Sequence, residues 1–464
     1  MCGIFIVSSS EFQPIMVNNT RVHTSTDSPS NERSGLTEGS GSSRVKRRRF
    51  LQTAAAAGVI TSTAGCLDLL TDDDDDIGDE IKIGMLAQQP EEHPVGAAQA
   101  AGAELAVNQL NEEDGILGTE VELLTRNTDA DASTGLSRYR DLVIEEGVDM
   151  TTGIFQSEVL LNIMDDIRDQ QTLHLTAGAG TSQTGGMINE NYDDYKYHFR
   201  IGPINDYFLA QHMLQFGEDK FDEMGWDSIA VLVEDFAWTE PISDVFDDDL
   251  GDLEVEIVEN TRYAGDTEDF GPIYGPLAQQ GIDGAFTVMA HTGDAAVVTW
   301  SRGEMPFGFG GIHVGMQLPA YWQLTEGDCT YGFTQTSATP QTALTSKTQP
   351  FAQAYIEAFD TAPVYTGYIA YDAIMLYAEM VEQEETTDSD VLVDALEEVE
   401  WEATTGTLEF YDSDHQFAHD PIYGEDHIWP VYIQWQLDDE GQGVQEVIYP
   451  DEHATAEYIS PPWV

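Results

Sequence analysis

Residues 81–110 read IKIGMLAQQPEEHPVGAAQAAGAELAVNQL. The apolar run from Ile81 to Gly84 is typical of a short strand, and the two prolines that follow predict a loop between Ala87 and Gly96. Beyond this loop, apolar residues recur at the helical positions i, i+3, i+4 and i+7, namely Ala103, Ala106, Val107 and Leu110. The stretch therefore predicts a strand, a loop and a helix that begins near Ala97 and buries one face.

The same alternation of strand and helix continues along the chain. Helical spacing recurs at Leu160, Ile163 and Ile167, and again near Ala370 and Ser389. The other predicted strands are Glu120 to Arg126, Asp149 to Gly153, Leu173 to Thr176 and, in a second set that begins near Ile204, Ser228 to Val233, Leu253 to Val258 and Ala285 to Met289. Repeated units of this kind favour parallel strands with helices on both sheet faces. Since 464 residues exceed one compact core, we predict an α/β fold with two doubly wound, Rossmann-like lobes.

The composition is strongly acidic, with 85 Asp and Glu residues against 18 Lys and Arg residues and a formal net charge of -67. A hydrophobic fraction of 41% and an aromatic fraction of 10% nevertheless indicate a folded protein. In about 1 M salt the screening length falls to roughly 3 Å, so such a surface tolerates its own repulsion. We interpret the charge as that of a halophilic protein, and it argues against a nucleic-acid partner.

Residues 44–66 have the layout of an export signal, with a basic cluster, a short mildly apolar stretch and small residues. Arg48-Arg49-Phe50-Leu51 resembles a twin-arginine signal, and Thr63-Ala64-Gly65-Cys66 resembles a lipobox. We therefore predict a leader at 1–65, lipidation of Cys66, and an acidic tether at 66–80. The protein is expected on the outer face of the cytoplasmic membrane, held there by its lipid. The alternative is a basic patch before a buried alanine-rich helix.

Four further runs carry a family resemblance: Gly102 to Asn108, Asn111 to Gly118, Tyr197 to Arg200, and Tyr368 to Ala373. In order and spacing they resemble the leucine/isoleucine/valine-type periplasmic binding proteins of ABC transporters. The resemblance implies a hinged cleft between lobe one, at 81–203 and 333–402, and lobe two, at 204–332 and 403–464. It also implies a small-molecule solute and a permease with ATPase subunits as partners. Because the sequence contains no nucleophile elbow, Walker loop or zinc spacing, we predict no cofactor and no enzymatic activity.

Ser157 lies where a solute is expected to bind. In open α/β sheets, ligands bind beyond the carboxyl ends of the strands, and Ser157 follows a predicted strand and opens a predicted helix. Its hydroxyl and the free N–H groups of the first helical turn can receive a carboxylate. The alternative is an ordinary helix cap.

The family resemblance adds further candidate ligand-binding residues. It aligns Gln156 and Ser157 with serines that hold an amino acid carboxylate, and it places Gly178 to Thr181 in the next binding loop. Trp238 falls where an aromatic side chain of lobe two usually covers the ligand. Loop positions add His291 and Asp294 in lobe two, and Gln88 and His93 in lobe one.

One departure from the family concerns the ligand ammonium. Amino acid binders usually supply a carboxylate from lobe two, about where this chain reads Gly311-Ile312-His313-Val314. No acid stands there, so either Asp294 or Asp235 substitutes, or the ligand lacks an ammonium group and is a carboxylate, an amide or another polar metabolite.

Other functions receive less support from the sequence. The residues Asp412, Asp414, His415, His419 and Asp420 have metal-ligand character, but a solvated hairpin turn explains them. Met1-Cys2-Gly3-Ile4 resembles the start of an amidotransferase, although its β-rich continuation does not follow. Besides Cys2 and Cys66 the chain has only Cys329, so we predict no disulfide. A ligand-sensing receptor of the same fold remains an alternative to transport.

Overall fold

A computed structural model describes residues 80–464. The predicted leader, the lipobox with Cys66 and the acidic tether before residue 80 lie outside the described residues. Within 80–464, none of the helices combines the length and the apolar character that a membrane span requires.

The first sheet contains five parallel strands in the order β2-β1-β3-β4-β5. Its central strands are almost entirely buried, as expected for a sheet with helices on both faces. The strands are β1 (Ile81–Ala87), β2 (Val121–Asn127), β3 (Met150–Gly153), β4 (Leu173–Ala177) and β5 (His198–Gly202). The predicted α/β class with parallel, doubly wound strands is confirmed in this lobe.

Five α-helices lie between these strands, one after each of β1, β2 and β3 and two between β4 and β5. They are α1 (Pro94–Glu112), α2 (Ala132–Arg140), α3 (Ser157–Gln170), α4 (Gln183–Glu190) and α5 (Tyr192–Tyr195). Helix α1 begins at Pro94, slightly earlier than predicted. The reason is local: Nδ1 of His93 accepts a hydrogen bond from the N–H of Val95 at 3.3 Å, and proline fits the first turn of a helix because it needs no N–H donor there.

The second sheet contains seven strands in the order β14-β13-β10-β9-β8-β6-β7. The strands from Ser228 onward are β6 (Ser228–Asp235), β7 (Glu256–Ala264), β8 (Gly284–Met289), β9 (Gly308–His313), β10 (Phe333–Thr336), β11 (Trp401–Glu402), β12 (Thr407–Leu408), β13 (Val431–Leu437) and β14 (Gly443–Tyr449). Strands β6 to β10 are parallel, β13 and β14 are antiparallel, and β11 pairs with β12 alone. The strand predicted from Leu253 begins only at Glu256, because residues 250–252 form a 3₁₀ turn.

The remaining helices cover both sheets. They are α6 (Asp206–Met224), α7 (Glu240–Asp249), α8 (Gly271–Gln280), α9 (Gly293–Arg302), α10 (Tyr321–Leu324), α11 (Thr348–Phe359), α12 (Tyr365–Glu384) and α13 (Ser389–Glu397). Helices α6 and α7 pack on one face of the second sheet, and α8 and α9 pack on the other. Helices α12 and α13 return to the core of the first lobe.

Two of the expected lobe crossings differ from the structure. The return to lobe one was expected at Phe333, but Phe333–Thr336 is a strand of the second sheet, hydrogen-bonded between β9 and β13. The last crossing was expected at residue 403, but Leu408, Phe410 and Ile428 are still buried in the first core. The crossings therefore follow residue 336 and residue 428, because strand pairing and side-chain burial keep these segments where they are.

Candidate functional site

The carboxyl ends of the parallel strands carry most of the candidate residues. In lobe one, Gln88 and His93 follow β1, Gln156 and Ser157 follow β3, and residues 178–181 follow β4. In lobe two, residues 236–238 follow β6 and residues 290–294 follow β8. Because the carboxyl ends of parallel strands share one sheet edge, each lobe gathers its candidate residues along a single rim.

Ser157 is the first residue of α3, as predicted. Gln156 is the N-cap, and its side chain makes no capping hydrogen bond. The backbone carbonyl of Gln156 accepts from the N–H groups of Val159 and Leu160, both at 3.1 Å. The backbone N–H groups of Ser157 and Glu158, the first two residues of α3, have no hydrogen-bond partner within residues 80–464. The same holds for the Ser157 hydroxyl. The rim therefore presents free donors at the positive end of a helix.

Close packing against Gln99 and Ile154 fixes the loop after β4, residues 178–181. A side chain at Gly178 would place its Cβ 2.8 Å from Nε2 of Gln99 and 2.9 Å from the carbonyl oxygen of Ile154, so only glycine fits. The N–H of Ala179 donates to that same carbonyl at 2.9 Å, which ties the loops after β3 and β4 together. Thr181, the other candidate residue, is buried in this loop.

Arg200, in the middle of β5, holds this loop from inside the protein. Its guanidinium is fully buried and donates to the backbone carbonyl oxygens of Ala179 and Thr181. Asp420 accepts from its Nε at 2.8 Å and also accepts from Asn205 at 2.7 Å. In the sequence, Arg200 is visible only as part of a family landmark, and Asp420 has the pattern of a surface turn residue. The two lie 220 residues apart in the sequence, so no local pattern links them.

In lobe one, Gln88 and His93 flank the loop after β1. Gln88 is 7% exposed, and its Oε1 has no hydrogen-bond partner within the described residues. Burial lowers the pKa of His93 below its usual value, and positive charge on His291 lowers it further.

In lobe two, His291 is held by a buried carboxylate that the sequence analysis missed. Glu234, near the end of β6, accepts from Nδ1 of His291 at 3.1 Å and from the N–H groups of His291 and Thr292 at 3.0 and 3.2 Å. The ring of Phe236 stacks on His291 with centroids 4.1 Å apart. An acid that ends an otherwise apolar strand, as Glu234 does, was the available signal in the sequence.

The pKa of Glu234 is lowered, so the group is a carboxylate at neutral pH. Burial alone would raise that pKa, but hydrogen bonds from His291 and from the backbone, together with the positive charge of His291, outweigh burial. The carboxylate carries its full charge and is already surrounded by donors. It therefore supports His291 and is not a free partner for a ligand ammonium.

The two acids suggested for the ammonium role are also engaged. Asp294 accepts from the hydroxyl of Tyr321 at 2.6 Å. Asp235 pairs with Arg262 at 2.7 Å. His313, which stands where the family carries an acid, is fully buried and accepts from the N–H of Met316 at 3.1 Å. Neither suggested substitute is thus a free carboxylate.

Trp238 lies in a short 3₁₀ turn after β6 and packs against the second core. Its indole Nε1 is buried and has no hydrogen-bond partner within residues 80–464. This position on the rim is compatible with the expected aromatic cover. An unsatisfied donor also indicates where a polar group of a ligand can bind.

The suggested metal-type cluster near residue 415 is divided among separate partners. Asp420 pairs with Arg200, Glu397 accepts from Nε2 of His419 at 2.8 Å, and the ring of His415 stacks on Tyr411. Within residues 80–464, no group of three or more His, Cys, Asp or Glu side chains is arranged to hold a metal ion.

Two α/β lobes with polar rims at the carboxyl ends of their strands define a two-lobed ligand-binding protein. A family model described as periplasmic binding protein matches residues 80–423. The chain therefore belongs to the periplasmic binding protein family, whose members bind solutes and are not enzymes. The predicted α/β fold with parallel-sheet lobes and the family resemblance are confirmed, and the family consists of binding proteins rather than enzymes, as predicted.

Solved structures show the same fold at low sequence identity. A protein of Silicibacter pomeroyi described as a branched-chain amino acid ABC transporter gives a TM-score of 0.71 at 16% identity, covering 83% of this chain and 100% of that one. LivJ of Streptococcus pneumoniae, in complex with isoleucine, gives 0.65 at 16%, covering 80% and 100%. A solute-binding protein of Rhodopseudomonas palustris, in complex with 3,4-dihydroxybenzoic acid, gives 0.65 at 17%, covering 83% and 99%. Among the curated proteins, the comparison found no match.

Proposed function

We propose that this protein is the extracytoplasmic substrate-binding protein of an ABC transporter, which captures a small polar solute between its lobes and delivers it to a permease with ATPase subunits. Family membership supports the binding role, and neighbours of the same fold are described as ABC transporter proteins. A solute that bridges both rims binds the closed arrangement better than the open one, so binding itself drives closure.

The proposed anchor is a lipid on Cys66 after twin-arginine export. The basic pair Arg48-Arg49 and the run Thr63 to Cys66 support it, and the acidic run Asp72 to Asp76 would extend as a hydrated tether. Cell fractionation and mass spectrometry of the mature N-terminus test this anchor directly. A mature chain without a lipid on Cys66 would contradict it.

The observation that carries the binding proposal is the start of α3 on the lobe-one rim. Ser157 and the first N–H groups of that helix are donors without hydrogen-bond partners among residues 80–464, and they lie next to the loop of Gly178 and Thr181 that Arg200 fixes. We propose that these donors receive a carboxylate or another acceptor group of the solute. Gln156 and Gln88 offer amide groups beside them, and Trp238, His291 and Asp294 face the solute from lobe two.

A thermal-shift screen in multimolar potassium chloride tests the proposal. Amino acids, small carboxylates, amides and nucleosides serve as probes, and a ligand at about 100 times its dissociation constant adds roughly 2.7 kcal/mol to stability. We expect Ser157→Ala to weaken the hit about tenfold or more, because a hydrogen bond to a charged group contributes about 1.5–3 kcal/mol.

The same variant should leave the melting temperature of the unliganded protein nearly unchanged, because the Ser157 hydroxyl has no hydrogen-bond partner within residues 80–464 and the N-cap residue is Gln156. Ser301→Ala, near the end of α9 and so at the opposite edge of lobe two, is the matched control and should bind as the parent does. Unaltered affinity of Ser157→Ala would exclude the assigned site.

A further inference from the structure

Three consecutive backbone carbonyl groups of the loop after β4 have partners inside the protein. Arg200 donates to the carbonyl oxygens of Ala179 and Thr181. The carbonyl oxygen between them, that of Gly180, accepts from the backbone N–H of Asp206 at 2.7 Å. The backbone N–H groups of Gly180 and Thr181, by contrast, have no hydrogen-bond partner among residues 80–464. The loop therefore keeps two donors for a solute, while its carbonyl groups are engaged.

Asp206, the first residue of α6, also holds this segment with its side chain. Its Oδ1 accepts from the N–H of Ser182 at 3.1 Å and from the N–H of Tyr207 at 2.9 Å. Asp206 is only 4% exposed, so little water competes for these bonds. Further along the same helix, Ala210 and Met213 are buried in the core of lobe two. A helix of lobe two is thus hydrogen-bonded to the binding loop of lobe one.

Asn205, the N-cap of α6, joins the same helix to the buried ion pair of lobe one. Its Oδ1 accepts from the N–H of Phe208 at 3.0 Å, and its Nδ2 donates to Oδ2 of Asp420 at 2.7 Å. The other carboxylate oxygen of Asp420 accepts from Nε of Arg200 at 2.8 Å. A continuous chain of buried hydrogen bonds therefore runs from the start of α6 through Asp420 and Arg200 to the loop after β4.

We propose that Asn205 and Asp206 are positioning residues for solute binding. Through them the first turn of α6 holds the loop after β4 in the shape that leaves the N–H groups of Gly180 and Thr181 for the solute. The inference rests on the proposed solute-binding function and adds two residues that act without contacting the solute. Because α6 belongs to lobe two, a change in the angle between the lobes acts on the loop through these bonds. The shape of the loop and the closure of the lobes are therefore coupled.

Asn205→Ser separates the two roles of the N-cap residue. Serine caps a helix about as well as asparagine, but it carries no amide N–H that can reach Asp420. The readout is residue-resolved hydrogen exchange of the Ala179 N–H in the full unliganded chain, because this N–H donates to the carbonyl of Ile154 and to no group that is replaced. We expect its exchange to become about tenfold faster or more, since a hydrogen bond to a charged group is lost and the loop opens more often.

Asp206 is tested with a disruptive and a conservative variant. Asp206→Ala removes the acceptor of the Ser182 N–H, and we expect exchange of the Ala179 N–H to become about tenfold faster. Asp206→Asn retains an oxygen at the same position and should exchange as the parent does. Asp131→Ser is the matched control for Asn205→Ser, because it also exchanges one good N-cap for another, in α2, and should leave exchange at Ala179 unchanged.

Binding is measured on the same four variants by calorimetry in multimolar potassium chloride, with leucine and benzoate as the probes. For a probe that binds the parent, we expect Asn205→Ser and Asp206→Ala to weaken the affinity at least tenfold. Asp206→Asn and Asp131→Ser should bind that probe as the parent does. The conservative variant matters most here, because it restores the hydrogen bond to Ser182 without restoring the charge.

The outcomes distinguish the inference from the proposed function. Unchanged exchange at Ala179 in both Asn205→Ser and Asp206→Ala would overturn the inference, and so would exchange that rises equally throughout lobe one, because the two residues would then only stabilise the fold. Faster exchange at Ala179 together with parental affinity for a bound probe would also overturn it, while solute binding would stand. If neither probe binds the parent, the result counts against these solutes for the proposed function, and exchange at Ala179 still decides whether α6 positions the loop.

Discussion

The two lobes use glycine for opposite purposes. In the first lobe, a side chain at Gly102 would place its Cβ 2.1 Å from the backbone carbonyl oxygen of Gly367, where α1 crosses α12. In the second lobe, a side chain at Gly308 or Gly284 would collide with the indole ring of Trp226 at 2.6 or 2.2 Å. At these positions, glycine allows two helix backbones to approach in the first lobe and makes room for an aromatic ring in the second.

The buried polar groups differ between the lobes in a related way. Lobe one fixes its rim with a fully buried ion pair, Arg200 and Asp420, which holds the loop of Thr181 rigidly. Lobe two fixes its rim with Glu234 and His291, of which the histidine side chain is 56% exposed. The difference indicates a preformed rim on lobe one and a more adaptable rim on lobe two.

The largest expected effect comes from breaking the ion pair of lobe one. Asp420→Asn leaves the Arg200 guanidinium buried without its counter-charge, and the new amide cannot satisfy both Arg200 and Asn205 as the carboxylate does. Removal of one partner of a buried pair typically costs about 3–5 kcal/mol. Urea unfolding in multimolar potassium chloride measures the change in the free energy of unfolding.

Asp166→Asn is the matched control in the same lobe. Asp166 binds Arg140, whose side chain is 51% exposed, and exposed pairs contribute about 0–1 kcal/mol. Equal losses of unfolding free energy in the two variants would show that the buried Arg200 pair contributes no more to the stability of lobe one than an exposed pair does.

The next largest effect is expected when the closely packed glycines are replaced by alanine. Gly102→Ala forces two helix backbones apart, and we expect a loss near the upper end of the range of about 1–3 kcal/mol for overpacking. Gly308→Ala meets a side-chain ring that can shift, so a loss of about 1 kcal/mol is expected. Gly186→Ala, in α4 with nothing within 4 Å of its added Cβ, should be neutral or slightly stabilising.

Unfolding free energies of the three variants give the order directly. If Gly308→Ala were the most damaging, the aromatic core of lobe two would be more rigid than the helix crossing of lobe one, and the contrast drawn between the lobes would be wrong.

The sequence predicted the parts of the fold that depend on local pattern. The apolar run before Gly84 and the helical spacing after Ala97 gave strand β1 and helix α1, and the position of Ser157 at the start of α3 followed from the same reasoning. The points where the chain crosses between the lobes could not be predicted in this way, because the pattern of Phe333–Thr336 is compatible with a strand in either lobe. Its place is decided by hydrogen bonds to β9 and β13.

The candidate site, too, could be predicted only where it depends on local pattern. Loop positions at strand ends identified His291, but its partner Glu234 lies 57 residues earlier and reads as an ordinary acidic residue. The support of the lobe-one loop by Arg200 and Asp420 depends on a contact 220 residues apart. Position at a sheet edge is therefore visible in the sequence, whereas the groups that orient each residue are not.

One buried histidine from each core allows a further comparison of the two lobes. Burial lowers the pKa of His174, in β4, and of His212, in α6, to about 3 in each case. Between pH 6.5 and pH 3 the unfolded chain binds these protons and the folded protein does not, so their contribution to stability is lost as the pH falls. Each histidine contributes a slope of about 1.4 kcal/mol per pH unit in that window.

Asp372 acts in the opposite direction, because burial raises its pKa to about 7. Its folded form keeps a proton that the unfolded chain releases near pH 4, so its contribution to stability falls as the pH rises toward 7.

The informative quantity is therefore the slope of the unfolding free energy against pH in a variant minus the same slope in the parent. His174→Asn and His212→Asn, which preserve a polar partner for Thr151 and Gln335, should each lower the slope by about 1.4 kcal/mol per pH unit, and the double variant by the sum, because the two cores are separate. If His212→Asn kept the slope of the parent while His174→Asn lowered it, water or a counter-charge would have to reach the second core. The closely packed aromatic rings of that core should exclude both.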